Sequence, residues 1–482
     1  MDKQRWIKVG LLLIIIGDLV HAWFQYVGMP MGGDLYAIVL PAPWYEEVLS
    51  DPFGWEALFS EKEYGGAGRY SAHQFTSLYF NNMPGFFQYL VSPINSIYYS
   101  AALAKCVAHL SLLLLLGAYV CGHFRVFQKD FLWTMVAAIP FLQTYGLSSR
   151  MGVIDQSITY AFFYIIPLII IFALLYPLYR YFMGYRQAEV SFTLGWWTIP
   201  WLAILWIVAF WGPQSQVIMA LIGGLGLLGL CLRGIREQKT STSQLFFYPF
   251  RPRYRQLSFL LLALVVFGGL GYLTGTQNTE NVSSLPLRET LIQAAKGIKF
   301  HFVESWVIWL VAVFLGIHFY RINRMDSPKK KVWQKLFLML LLGILIYMLM
   351  IPFGGYRSYR PFLYRYDLLI PVTISWIFLL LWTGRLVIQS WPYGRNKNIY
   401  LICATLFLVT LHLQDLKIKD RNSCEKGHLY TLQTAEEYAI TLPADCPILG
   451  WHPDDNRYYT DKKVELLRRW NIVKQPLIYT QE

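Results

Sequence analysis

Apolar runs of about 20 residues, each long enough to cross a bilayer core of roughly 30 Å, recur along this chain between short polar breaks marked by Pro, Gly and charge. The pattern predicts eleven transmembrane helices: Val9–Val27, Ser100–Cys121, Phe131–Leu147, Ile158–Leu178, Trp196–Trp211, Ser215–Leu232, Leu257–Thr274, Phe302–Tyr320, Leu336–Pro352, Leu368–Thr383 and Ile399–Leu413. Two stretches depart from that rhythm. Residues 28–99 form a long first loop, in which Ala37–Leu49 and Pro52–Phe59 read as short amphipathic helices broken by Pro41, Pro43 and Pro52. Leu287–Phe300 has the spacing of a helix lying flat on a membrane. The tail carries a helix near Asp461–Trp470 and extended pieces around Ile448 and Ile478. The expected fold is therefore an all-α polytopic membrane domain over residues 1–415, followed by a small α/β cap at 416–482.

Composition supports the membrane reading. The chain is 55% hydrophobic and 15% charged, whereas soluble domains carry about 25% charged residues. The first run follows Lys3, Arg5 and Lys8 and lacks a small-x-small cleavage site, so it reads as an uncleaved span. Basic clusters such as Arg233, Arg236, Arg251, Arg255 and Arg321, Arg324, Lys330, Lys331 fall on alternate loops. They predict a cytoplasmic N-terminus, with the first loop and the C-terminus outside, in a bacterial inner membrane. The net charge of +13 is then topology plus contact with anionic lipids, and nucleic acid is not an expected partner.

The first loop runs against that charge. Between Met29 and Tyr99 stand seven acids (Asp34, Glu46, Glu47, Asp51, Glu56, Glu61, Glu63) against Lys62 and Arg69, together with 16 aromatic residues. Such a segment is wrong for disorder, and long ordered loops tend to carry function. Asp34, in Gly33-Asp34-Leu35-Tyr36, is either an N-cap carboxylate or a general base at the membrane face. Asp155, between the third and fourth runs, has the same two readings, and a carboxylate pair could hold a divalent cation such as Mg or Mn. The third element is Tyr356–Tyr366, with three Arg and four Tyr in eleven residues. Arg357, Arg360 and Arg365 have the planar donor geometry that matches phosphate, with Tyr364 and Tyr366 beside them. The alternative there is a headgroup-anchoring belt.

Asp18 and His21 lie three apart inside the first run, on one helix face, and a charge at that depth suggests function. Cys106, Cys121, Cys231 and Cys403 fall in spans as small hydrophobes. Cys424 and Cys446 lie on the tail, where they either pair or stay free. No P-loop, GxSxG or HExxH is present, which disfavours an ATP-driven pump or a membrane protease.

Asp34 after the first span, Asp155 in the next outer loop, and the long first loop with interfacial helices together resemble the GT-C superfamily of integral-membrane glycosyltransferases. Gly33-Asp34-Leu35-Tyr36 is similar to that superfamily's Asp-Glu-x-x-Tyr type of motif, with Leu35 where many members carry a second acid. The resemblance covers the first four spans and the general topology. It implies transfer of a sugar from a polyprenyl-phosphate donor to a glycan, lipid or protein acceptor. Asp34 would be the base, Asp155 would orient the acceptor, Tyr36 would line the site, and Arg357, Arg360 or Arg365 would hold the donor phosphate. Two other classes remain open: a transporter or flippase using Asp18 and His21, and a non-catalytic assembly subunit.

Overall fold

The computed structural model describes the chain except for residues 1–2, 143–152, 155, 184–194, 239–247, 253, 282–284, 326–327, 355–356, 358–361, 414, 416–418 and 454–456. It is overwhelmingly helical, and among the described residues nine helices are long and apolar enough to cross a membrane. Many of their apolar side chains face outward, including Leu13, Phe24, Trp309, Leu338 and Leu406, each more than half exposed. A water-soluble surface rarely tolerates that much contiguous hydrocarbon, whereas lipid requires it. The protein is an integral membrane protein.

Two expected spans are shorter than the sequence pattern implied. Phe131–Leu147 is helical over Lys129–Ala138 and passes into a tight turn at Ile139–Phe141, where Pro140 cannot continue the backbone ladder; residues 143–147 lie outside the described residues. Trp196–Trp211 contains only the helix Thr198–Ala209. The first loop is more helical than its pattern suggested. It holds the helices Leu35–Val39, Pro43–Ser50 and Trp55–Phe59, and then an 18-residue helix, Tyr70–Phe87, that tolerates Pro84. The expected flat helix spans Leu287–Ile298 and leaves Leu287, Leu291 and Ile298 exposed along one side.

Contacts divide the chain into two compact units, the first of Met1–Leu49, Ala72–Ile169 and Leu380–Glu482, the second of Ser50–Ser71 and Ile170–Leu379. The tail shares its core with the rest of the first unit. Leu429, Leu467, Trp470 and Tyr479 are buried in one cluster with Leu35, Val39, Phe80 and Ile97. Trp470 Nε1 donates to Phe80 O at 2.8 Å, and Asn422 Nδ2 donates to Val27 O at 2.8 Å. Within the tail, β1 (Ala439–Leu442) and β2 (Ile478–Gln481) pair in parallel, with Ala439 opposite Ile478. A parallel pair needs a crossover, and the helix Arg457–Arg469 lies between the strands in sequence. The first strand is thus at Ala439 rather than around Ile448, which is a fully buried loop residue. Cys424 and Cys446 form a disulfide, their Cα atoms 6.2 Å apart.

Candidate functional site

The second unit contains a small cavity of mixed polar and apolar lining, assembled from four distant stretches of sequence. Asn278 organises it. Its Oδ1 accepts from Gly66 N and from Glu280 N, both at 3.0 Å, and Tyr64 N donates to Gln277 O at 3.2 Å. A single buried amide thereby fixes the loop that carries Arg69 beside the segment that carries Glu280. Gln216 adds a third tie, donating to Gly68 O at 2.9 Å. Gly68 has φ +72 and lies against the Gly271 and Gly275 backbone, leaving no space for a Cβ. Asp51, one of the seven acids of the first loop, is consumed as structure. It caps Trp55 N at 2.8 Å and Glu56 N at 3.1 Å, and accepts from Tyr64 OH at 2.9 Å.

The cavity, about 70 Å³, is lined by Arg69, Arg357 and Arg365 together with the amides of Gln216, Asn278 and Asn281. A water needs about 10–15 Å³ on the same measure, so the space suits several waters or one phosphoryl group. The three arginine side chains are only 11–12% exposed. Glu280 pairs with Arg357 and lies 4.0 Å from Arg69; Asp367, buried, holds Arg365 at 2.8 Å. Among the described residues, three lining guanidiniums stand against the two carboxylates that pair with them, an excess of one positive charge in a half-shielded site where charge is weakly screened. Comparison with known proteins adds nothing to this geometry. No protein family, curated protein or solved structure matches the chain.

The expected site residues divide as follows. Arg357 and Arg365 line the cavity; Arg360 lies outside the described residues. Tyr364 is structural. Its hydroxyl donates to Met348 O at 2.9 Å, its carbonyl meets His301 Nε2 at 2.8 Å, and burial pushes its phenol above the ordinary range. Tyr366 is 39% exposed and is not part of the lining. Arg69 and Glu280 were absent from the expected set. The only signal for Arg69 was that it is one of two bases in an acidic loop.

Asp34 and Tyr36 belong to the first unit, and Asp155 lies outside the described residues. Asp34 is exposed and stands at the N-cap position of Leu35–Val39, yet its carboxylate makes no capping bond. Gly33 explains the turn. Its φ is +103, and a Cβ there would collide with Thr159 Oγ1 and Ser157 Oγ, so only glycine fits. Asp18 does not pair with His21 as the helical spacing implied. It lies 3.3 Å from His109 Nε2 on the next span, whose Nδ1 meets Tyr26 OH at 3.1 Å, while His21 pairs with Gln25 at 2.8 Å. That contact is within ion-pair distance, but among the described residues neither Asp18 Oδ2 nor His109 Nε2 has a hydrogen-bond partner. Among the described residues, two groups have metal-ligand proximity: Cys424, His428, Asp445 and Cys446, and Cys121, His123 and Asp130. The first is committed to the disulfide. In the second, Asp130 already holds Arg385 at 2.6 Å.

Proposed function

We propose that this chain is a membrane glycosyltransferase that uses a polyprenyl-phosphate-linked sugar, working in a bacterial inner membrane with its N-terminus in the cytoplasm. The observation that carries the reading is the half-buried cavity with Arg69, Arg357 and Arg365 on its walls. Guanidinium groups bind phosphate oxygens in pairs, which ammonium groups do not. A belt that merely anchored headgroups would have no need of a buried amide such as Asn278 to organise it. The base of this reading is Asp34, which is exposed at the turn after the first span.

The two assignments are tested separately. In nanodiscs, binding of inorganic pyrophosphate and of polyprenyl phosphate is expected to weaken about tenfold in Arg357→Lys, which keeps the charge and removes the fork. Unchanged binding would remove the phosphate assignment. Asp34→Asn is expected to lower sugar transfer by about 10²-fold or more while pyrophosphate binding and protein yield stay at wild-type levels. Full transfer by that variant would remove Asp34 as the base, and no transfer by wild type to any acceptor would sink the enzyme reading.

A further inference from the structure

The tail carries a cluster of metal-ligating side chains around its disulfide. Cys424 and His428 stand four apart on the helix Ser423–Thr434, hence on one face. Asp445 and Cys446 are adjacent in the loop that follows β1. One ligand atom from each of the four lies within 4.8 Å of the others. His428 is buried between two partners: its Nδ1 faces Cys446 Sγ at 3.8 Å, and its Nε2 lies 3.0 Å from Asp445 Oδ1. A disulfide needs neither contact. The two stretches are also tied without it, since Glu425 Oε1 accepts from Leu449 N at 2.9 Å and Gln481 Nε2 donates to Cys446 O at 2.7 Å.

The two contacts of His428 are those of a metal-binding imidazole. A histidine that ligates through one ring nitrogen directs its other N–H to a carboxylate, which fixes tautomer and ring orientation. Zinc bonds of about 2.3 Å to sulfur and 2.0–2.1 Å to nitrogen set a thiolate and an imidazole roughly 3.6 Å apart around a tetrahedral ion. Cys446 Sγ and His428 Nδ1 are already close to that separation. We propose that the tail holds a zinc site, latent while Cys424 and Cys446 are bonded to each other. Its ligands are Cys424 Sγ, Cys446 Sγ, His428 Nδ1 and a water, with Asp445 as the positioning residue. A dithiol opens it: the dithiol's sulfurs leave as a disulfide, and its two electrons and two protons pass to Cys424 and Cys446. Zinc then displaces both thiol protons to solvent. A newly made chain, whose cysteines are still thiols, needs no reductant. Two thiolates and an imidazole select zinc over the hard cations magnesium and calcium. The site belongs to the first unit and does not depend on the transferase reading.

The test reduces the full chain in nanodiscs with a phosphine, removes the phosphine without air, and measures bound zinc by elemental analysis, with cobalt as the optical probe. Reduced wild type is expected to hold a single zinc ion per chain, and its cobalt form to show thiolate-to-metal charge transfer and the visible bands of a four-coordinate ion. Zinc should raise the melting temperature of the reduced chain by mass action and leave that of the oxidised chain unmoved. Cys424→Ser and His428→Ala are each expected to lose the ion, and Asp445→Ala to weaken its binding about 10–100-fold. Cys121→Ser, which alters the other group of metal-ligand proximity, should bind as wild type does. Reduced wild type without zinc overturns the proposal, as does a reduced chain that unfolds and is not restored by zinc. So does equal binding by the oxidised chain or by Cys424→Ser, or loss of binding in Cys121→Ser, which would put the metal beside His123 and Asp130. Unmoved affinity in Asp445→Ala overturns the part given to Asp445.

Discussion

Replacing Glu425 with alanine is expected to destabilise the first unit by about 3–5 kcal/mol and to reduce the yield of folded protein. Glu425 is 2% exposed, and three donors end on its carboxylate at 2.9 Å: Met31 N, Leu449 N and Tyr98 OH. They come from the segment before Gly33, from the tail loop and from the second span. One side chain therefore joins the tail to the Asp34 turn, next to the Cys424–Cys446 disulfide. Alanine leaves three buried donors unmet, and each costs the desolvation it can no longer recover. Thermal unfolding in detergent checks the prediction, and a loss below 1 kcal/mol would show that water replaces the carboxylate.

The same residue predicts a pH dependence. Burial raises the Glu425 carboxyl above its ordinary range, although the three donors and Lys463 pull it down. The folded state then holds the proton more tightly than the unfolded chain does. The stability this contributes is present below the ordinary carboxylate range and is lost as pH rises through the elevated folded value. Wild type minus Glu425→Gln should thus show a stability difference that falls with rising pH across the mildly acidic range. A flat or rising difference would place the carboxylate's titration elsewhere.

Much of the membrane domain was legible because apolar runs of bilayer length report lipid-facing helices directly. Where Pro140 interrupts a run, length alone misled. Tyr70–Phe87 was missed because Asn81, Asn82, Pro84 and Gly85 dilute its period, yet Phe80 at its centre is fully buried. The arginine loop was visible as local density, whereas its partners were not. Arg69 and Glu280 reach it through Asn278, Gln216 and the Tyr64 backbone, tertiary contacts without a local signature. The Asp18 partner failed for a related reason, since neighbourhood on one helix proposes His21 and a facing helix supplies His109.

Another signal was present and unread. Gly223 and Gly226 on Pro213–Gln238, and Gly268 and Gly271 on Arg255–Thr276, are small residues at spacings that let helix backbones touch. In the structure, a Cβ at Gly268 would meet Gln216 O and Ala220 N at 2.6 and 2.8 Å, and one at Gly271 would strike the Ala209 carbonyl. These neighbours are backbone and cannot rotate away. Gly271→Leu is therefore expected to push the helices apart, at about 3 kcal/mol or more. The same displacement moves Gln216, Tyr272 and Gly275, all in the cavity lining, so pyrophosphate binding should fall with the melting temperature. The chain carries its own control. Gly269, on the same helix, has open space where a Cβ would lie, and Gly269→Leu should leave both readouts near wild type. Equal damage from the two variants would mean that glycine flexibility, rather than the helix contact, sustains the arginine cavity.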